Sequence, residues 1–205
     1  MSKLSVEGSF GCSLGKLCGR CPQASEFFKI LLVSVVLVVA YGILHDQVTA
    51  HLCVEYFTIG HPLIFGTKSP ALLAIGWGII ATWWAGVVVG LPLSVVARIG
   101  RRPKLSATDL LKPALVLLSV MGVAALVAGC VGFLLARWGQ VWLIEPLASL
   151  VPQEKHLPFI ADLWAHSASY GFGFFGGVIL CIYAWIRRGR LKRESELRLR
   201  GRNDV

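Results

Sequence analysis

Three long, predominantly apolar stretches, Pro70 to Ala97, Pro113 to Ala136 and Leu163 to Ile186, limit what this chain can fold into. Runs of roughly 18 or more such residues are long enough to cross the ~30 Å hydrocarbon core of a bilayer as helices. A fourth stretch, Ile30 to Leu44, is short for a span. It becomes long enough when Phe27 and Phe28 are added and the helix continues through the histidine segment that follows. Inside lipid each backbone N–H and C=O must be satisfied within the segment, which favours helices. The expected fold is therefore an all-α, four-transmembrane-helix bundle. With 56% hydrophobic and only 15% charged residues, no soluble domain of useful size is left. Residues 1–25 read as a flexible amino-terminal arm, 26–188 as the four-helix domain and 189–205 as a basic tail.

The net charge of +9 is distributed as a topology signal. Lys3, Lys16, Arg20 and Lys29 precede the first helix. Arg98, Arg101, Arg102, Lys104 and Lys112 lie between the second and third, and eight Lys and Arg residues from Arg187 to Arg202 follow the fourth. Only Lys68, Arg137 and Lys155 remain for the opposite side. Loops rich in Lys and Arg stay cytoplasmic, so both termini are expected inside, in a multi-pass protein of a bacterial inner or plasma membrane. The partner of this charge is then the anionic lipid headgroup, not nucleic acid. No small-residue cleavage site follows the first apolar run, where His45-Asp46-Gln47 comes instead, so that run reads as an uncleaved anchor.

Helix one is expected from about Glu26 to Ile59, extended beyond the membrane on the outer side and ended by Gly60-His61-Pro62. Pro70 suits the first position of helix two, and Pro92 predicts a kink near its inner end. Ser106-Ala-Thr-Asp109 reads as a cap, with Pro113 opening helix three. Trp138 and Trp142 are placed as interfacial aromatics, Leu143 to Val151 as a segment lying in the interface, and Phe159 as the start of helix four. The spaced pairs Gly86/Gly90 and Gly173/Gly177 allow close helix approach, within one chain, in a homo-oligomer or against other membrane subunits. Cys12, Cys18 and Cys21 cluster in the arm without a fourth zinc ligand nearby, and read as reduced free thiols.

All five histidines fall on the predicted outer side, accompanied by Asp46, Glu55, Glu154 and Asp162. On a continuous helix one, Gln47, His51 and Glu55 form a single polar stripe, because residues four apart share a face. Asp162 and His166 have the same spacing at the outer end of helix four. Imidazoles with carboxylates on facing helices are what a bundle needs to hold a metal. The expected ligands of a divalent transition metal, zinc or iron, are therefore His45, His51, Glu55, Asp162 and His166, with Asp46 handling protons. His61 and His156, beside loop prolines, read as wetted surface residues. The spacing departs from the Glu-x-x-His pattern of di-iron bundles, and His-Glu-x-x-His is absent from the sequence.

The expected function is a small membrane metalloprotein with its site at the outer interface, as an enzyme acting on a lipid or small molecule. The competing readings are a metal-ion or proton transporter, and a non-catalytic subunit or assembly factor of a membrane complex. Transport is weaker than the metalloprotein reading, because helices two and three carry almost no ionisable residue in their interiors. Haem held between His45 and His166 is a further alternative.

Overall fold

A computed structural model describes residues 21–203. The expected flexible arm up to residue 20, with Cys12 and Cys18, lies outside the described residues. The described chain is helical, with no strand among the described residues. Its elements are α1 (Cys21–Leu52), α2 (Val54–Thr58), α3 (Pro70–Ile80), α4 (Trp83–Arg98), α5 (Ala107–Arg137), α6 (Leu147–Leu150), a 3-10 turn at Gln153–Lys155, and α7 (His156–Asn203). Four helical segments, Ala24–Leu52, Pro70–Arg98, Ala107–Arg137 and Gln153–Arg202, are long and apolar enough to cross a membrane.

α1 packs along α3 and α4, while α5 packs along α7; α4 against α7 and α1 against α5 join the two pairs. Glycines set how closely α1 approaches its neighbours. An added Cβ at Gly78 would lie 2.6 Å from Ile43 Cα, and one at Gly86 2.7 Å from Val35 Cα. Two buried clusters close the ends of the bundle. At one end, here the histidine end, Ala50, Cys53, Tyr56, Phe57, Trp77 and Phe159 pack together. At the other, the basic end, Ile30, Leu93, Leu105, Leu110, Leu180 and Ala184 do so.

Helix one does not run on to Ile59. It stops at Leu52, and Cys53 takes an extended conformation (φ −148°, ψ 89°) before the single turn of α2. The break gives up a few helical hydrogen bonds, each about 0.5–1.5 kcal/mol net. It folds the chain back so that Cys53, Tyr56 and Phe57 are buried, at roughly 1.5–3 kcal/mol per large apolar side chain. Tertiary burial outweighs local continuity.

Helix two is interrupted at Ala81–Thr82, while α4 continues through Pro92. The Thr82 hydroxyl donates back to the Gly78 carbonyl, a contact that bends helices. Helix three opens earlier than expected, at Ala107. The Ser106 hydroxyl accepts from the Asp109 N–H and the Asp109 carboxylate from the Ser106 N–H, closing a capping box. Pro113 therefore lies inside α5. Its ring removes the N–H that would bond to the Asp109 carbonyl, and Arg187 donates to that carbonyl instead, at 2.8 Å.

α7 begins at His156 and runs without interruption to Asn203. Within it Arg188 is fully buried and donates to the carbonyls of Pro103 (2.7 Å), Ile99 (2.6 Å), Arg102 (3.1 Å) and Val96. It thereby ties the end of α4 and the following loop to α7. Along Leu143–Val151, Leu143 and Val151 are buried in the histidine-end core, while Ile144 and Leu150 are exposed.

Candidate metal centre

The inward face of α1 is legible in its buried positions, Gly42, Asp46, Thr49 and Ala50, which recur at helical spacing. His45 stands on the flank of this face and Asp46 on it. His166 comes from the facing side of α7. Its Nδ1 donates to the Asp162 carbonyl one turn earlier, at 2.8 Å. A carbonyl only accepts, so Nδ1 carries a proton and Nε2 is the atom left to face a partner. That Nε2 lies 3.3 Å from Asp46 Oδ1. His45 Nε2 is buried without a hydrogen-bond partner among the described residues, and its ring meets that of His166 edge to face, with centroids 4.5 Å apart. One donor atom from each of His45, Asp46 and His166 lies within 4.8 Å of the others, so the group is geometrically placed to bind a metal.

Bonds of about 2.0–2.2 Å place neighbouring ligand atoms roughly 3–3.5 Å apart. The His166–Asp46 edge already has that length, and the donor atom of His45 lies within 4.8 Å of both. Two imidazoles and one carboxylate leave further coordination positions free, as catalytic zinc and non-haem iron sites do. The His45 and His166 rings meet directly, with no gap between them in this arrangement.

Aromatic rings fix the imidazoles from both sides. Tyr56 stacks on His166 at 4.5 Å and Tyr41 on His45 at 5.8 Å. The Tyr41 hydroxyl shares a 2.8 Å hydrogen bond with Ser169, linking α1 to α7. His61 packs against Trp77 at 4.6 Å and donates from Nδ1 to the Tyr56 carbonyl at 2.9 Å. Burial holds the His61 ring below the ordinary histidine value, against the opposing pull of that carbonyl, so it stays neutral at physiological pH.

The remaining expected residues sit elsewhere. His51 is exposed, its Nδ1 donating to the Gln47 carbonyl at 2.7 Å. Glu55 no longer continues the stripe of Gln47 and His51, because the break at Cys53 turns it away. Instead it pairs with Lys155 at 3.4 Å and accepts from the Cys53 thiol. Burial opposes ionisation of Glu55, but its own backbone N–H, Cys53 and Lys155 prevail and hold the carboxyl below its usual value. Burial pushes the Cys53 thiol up to about 12, so it stays protonated at neutral pH.

Asp162 is fully buried, both carboxylate oxygens without a hydrogen-bond partner among the described residues. It lies outside the group of three, and its backbone carbonyl is what orients His166. His156 donates to the Val151 carbonyl. His61, read as a surface residue, is half-buried and lines the same cavity as His45, Asp46 and His166.

That cavity, of about 460 Å³, falls in the ~300–1,000 Å³ range of small-molecule sites. Tyr41, Tyr56, Trp77 and Tyr170 line it as well. The sequence reading did not include these aromatics. Tyr41 was within reach of it, standing four residues before His45 on the same face; the others reach the site only through the tertiary fold. Searches with family models, among curated proteins and among solved structures find no match to this chain.

Proposed function

We propose that this chain is an integral membrane metalloprotein in which His45 Nε2, His166 Nε2 and the Asp46 carboxylate hold one divalent transition metal, zinc or iron, against a cavity that admits an apolar substrate. In this reading both termini are cytoplasmic and the histidine end faces outward, as the distribution of Lys and Arg favours. The observation that carries the proposal is the convergence of two imidazoles and a buried carboxylate from segments 120 residues apart. Buried His and Asp within membrane-depth helices are costly, and their presence there points to function. Fixing the tautomer of a ligand histidine through its other nitrogen is the usual support for a metal, and the Asp162 carbonyl provides it.

A bound zinc or iron supplies a Lewis acid with open positions. The protein's own groups do the rest. Tyr56 and Tyr41 hold the imidazole planes, and the apolar wall excludes water. Asp46 is then a ligand, with no free carboxylate assigned to proton transfer. Transport is disfavoured because the cavity below the site is lined by Val38, Val88, Val89, Leu117 and Leu118, which offer an ion nothing to replace its hydration.

The test is metal content of the purified protein by mass spectrometry. The wild type is expected to hold close to one zinc or iron per chain. His45→Ala and His166→Ala should retain less than about a tenth of it, while His51→Ala keeps it. An equal loss in His51→Ala, or a wild type that stays empty after reloading, would overturn the assignment.

A further inference from the structure

A second groove, of about 880 Å³, runs along the outside of the bundle between α5 and α7. Its walls are apolar and exposed: Val116 and Val120 stand one turn apart on α5, opposite Phe172, Phe175 and Ile179 of α7. Its α7 side extends from Ala168 to Tyr183, about 22 Å at 1.5 Å per residue. That exceeds the roughly 15 Å of hydrocarbon in one leaflet, half of a ~30 Å core. Along this length Gly171 leaves the groove open, since an added Cβ there would meet nothing within 4 Å.

The groove is charged at one end only. Asp109 of α5 pairs with Arg187 of α7 at 3.2 Å. Lys112 and Tyr183, each about one turn further in, therefore stand level across the groove, and both line it. Lys112 is exposed and has no ion-pair partner among the described residues. Arg190, seven residues after Tyr183 on the same face of α7, is likewise exposed and unpaired among them. An apolar channel headed by two accessible cations at the basic end suits an anion that carries an alkyl chain. A second copy in the same orientation would bring its own Lys112 and Arg190 to the same depth, like charge against like.

We infer that the α5/α7 groove binds one phospholipid with a net negative headgroup, its phosphate at Lys112 and Arg190 and one acyl chain along Phe172, Phe175 and Ile179. None of His45, Asp46 and His166 lines this groove, so its occupancy does not depend on the metal centre.

Native mass spectrometry of the purified full chain, titrated with dioleoyl phosphatidylglycerol or dioleoyl phosphatidylcholine in one detergent, tests this. One phosphatidylglycerol should bind saturably, at least about ten-fold more tightly than phosphatidylcholine. Lys112→Gln should weaken phosphatidylglycerol about five-fold and leave phosphatidylcholine unchanged. Arg101→Gln removes an exposed charge outside the groove and should leave both affinities unchanged. Gly171→Trp fills the open stretch and replaces a helix-interior glycine by a better helix former. It should weaken phosphatidylglycerol about ten-fold or more at an undiminished thermal midpoint. If that variant fails to fold, the comparison of Lys112→Gln with Arg101→Gln still decides. Equal affinity for the two lipids, an equal loss in Arg101→Gln, or full binding by folded Gly171→Trp overturns the inference. A dimer that persists at lipid saturation overturns it as well, and assigns the groove to a second copy.

Discussion

Asp162 and Arg188 are both buried on α7, and they show two fates for an ionisable side chain inside a bundle. Arg188 distributes its N–H groups over four backbone carbonyls, so its burial is compensated. Asp162 has no such partners among the described residues, and what it gives His166 comes from its backbone carbonyl. Replacing a buried, unpartnered polar side chain by an apolar one of similar size removes a desolvation cost of about 1–3 kcal/mol. Asp162→Leu is therefore expected to raise the thermal midpoint and to leave metal content unchanged, since the backbone contact survives. A lowered midpoint, or loss of metal, would mean that the carboxylate is engaged in the bound state and belongs to the centre.

The interruptions at Cys53 and at Ala81–Thr82 decide where the site sits. Had α1 continued, Tyr56 and Phe57 would project past the bundle and His166 would lose its stacking partner. Neither break carries a proline or glycine at the position itself, so local signals do not announce it. Pro92, where a kink is expected, lies inside the continuous α4. Close apposition of α1 and α3 is the other condition, because it holds His45 beside the cavity. Gly78→Ala would press a methyl group against Ile43 Cα and push the helices apart. Metal affinity should fall about ten-fold or more with far-ultraviolet circular dichroism unchanged; a variant with wild-type affinity would show that α1 does not need this contact to position His45.

Across the molecule the asymmetry is one of charge. Lys29, Arg98, Arg101, Arg102, Lys104 and the basic turns after Ile186 gather at one end, and the histidines at the other. If the basic end is cytoplasmic, a membrane-impermeant maleimide added to intact cells should label Ile64→Cys, in the exposed loop before α3. It should label Arg101→Cys only after permeabilisation. The reverse pattern would invert the topology and place the centre on the cytoplasmic side. The helical continuation of α7 to Asn203 is some 25 Å of rod beyond Arg187 at 1.5 Å per residue, so the tail is a structured extension of the bundle.

The four long helices were written in the sequence, because a run of apolar residues in a low-dielectric environment has few other ways to satisfy its backbone. The capping box at Ser106 and Asp109 and the clustering of histidines with carboxylates were legible for the same reason: they depend on residue type and near spacing. Which of those histidines meet was not. His51 and Glu55 share a stripe only if α1 stays continuous, and the break at Cys53 removes that premise. His45, Asp46 and His166 converge because burial of Cys53, Tyr56 and Phe57 outweighs the local hydrogen bonds of an unbroken helix. That balance belongs to contacts between residues more than a hundred positions apart, and only the tertiary structure sets it.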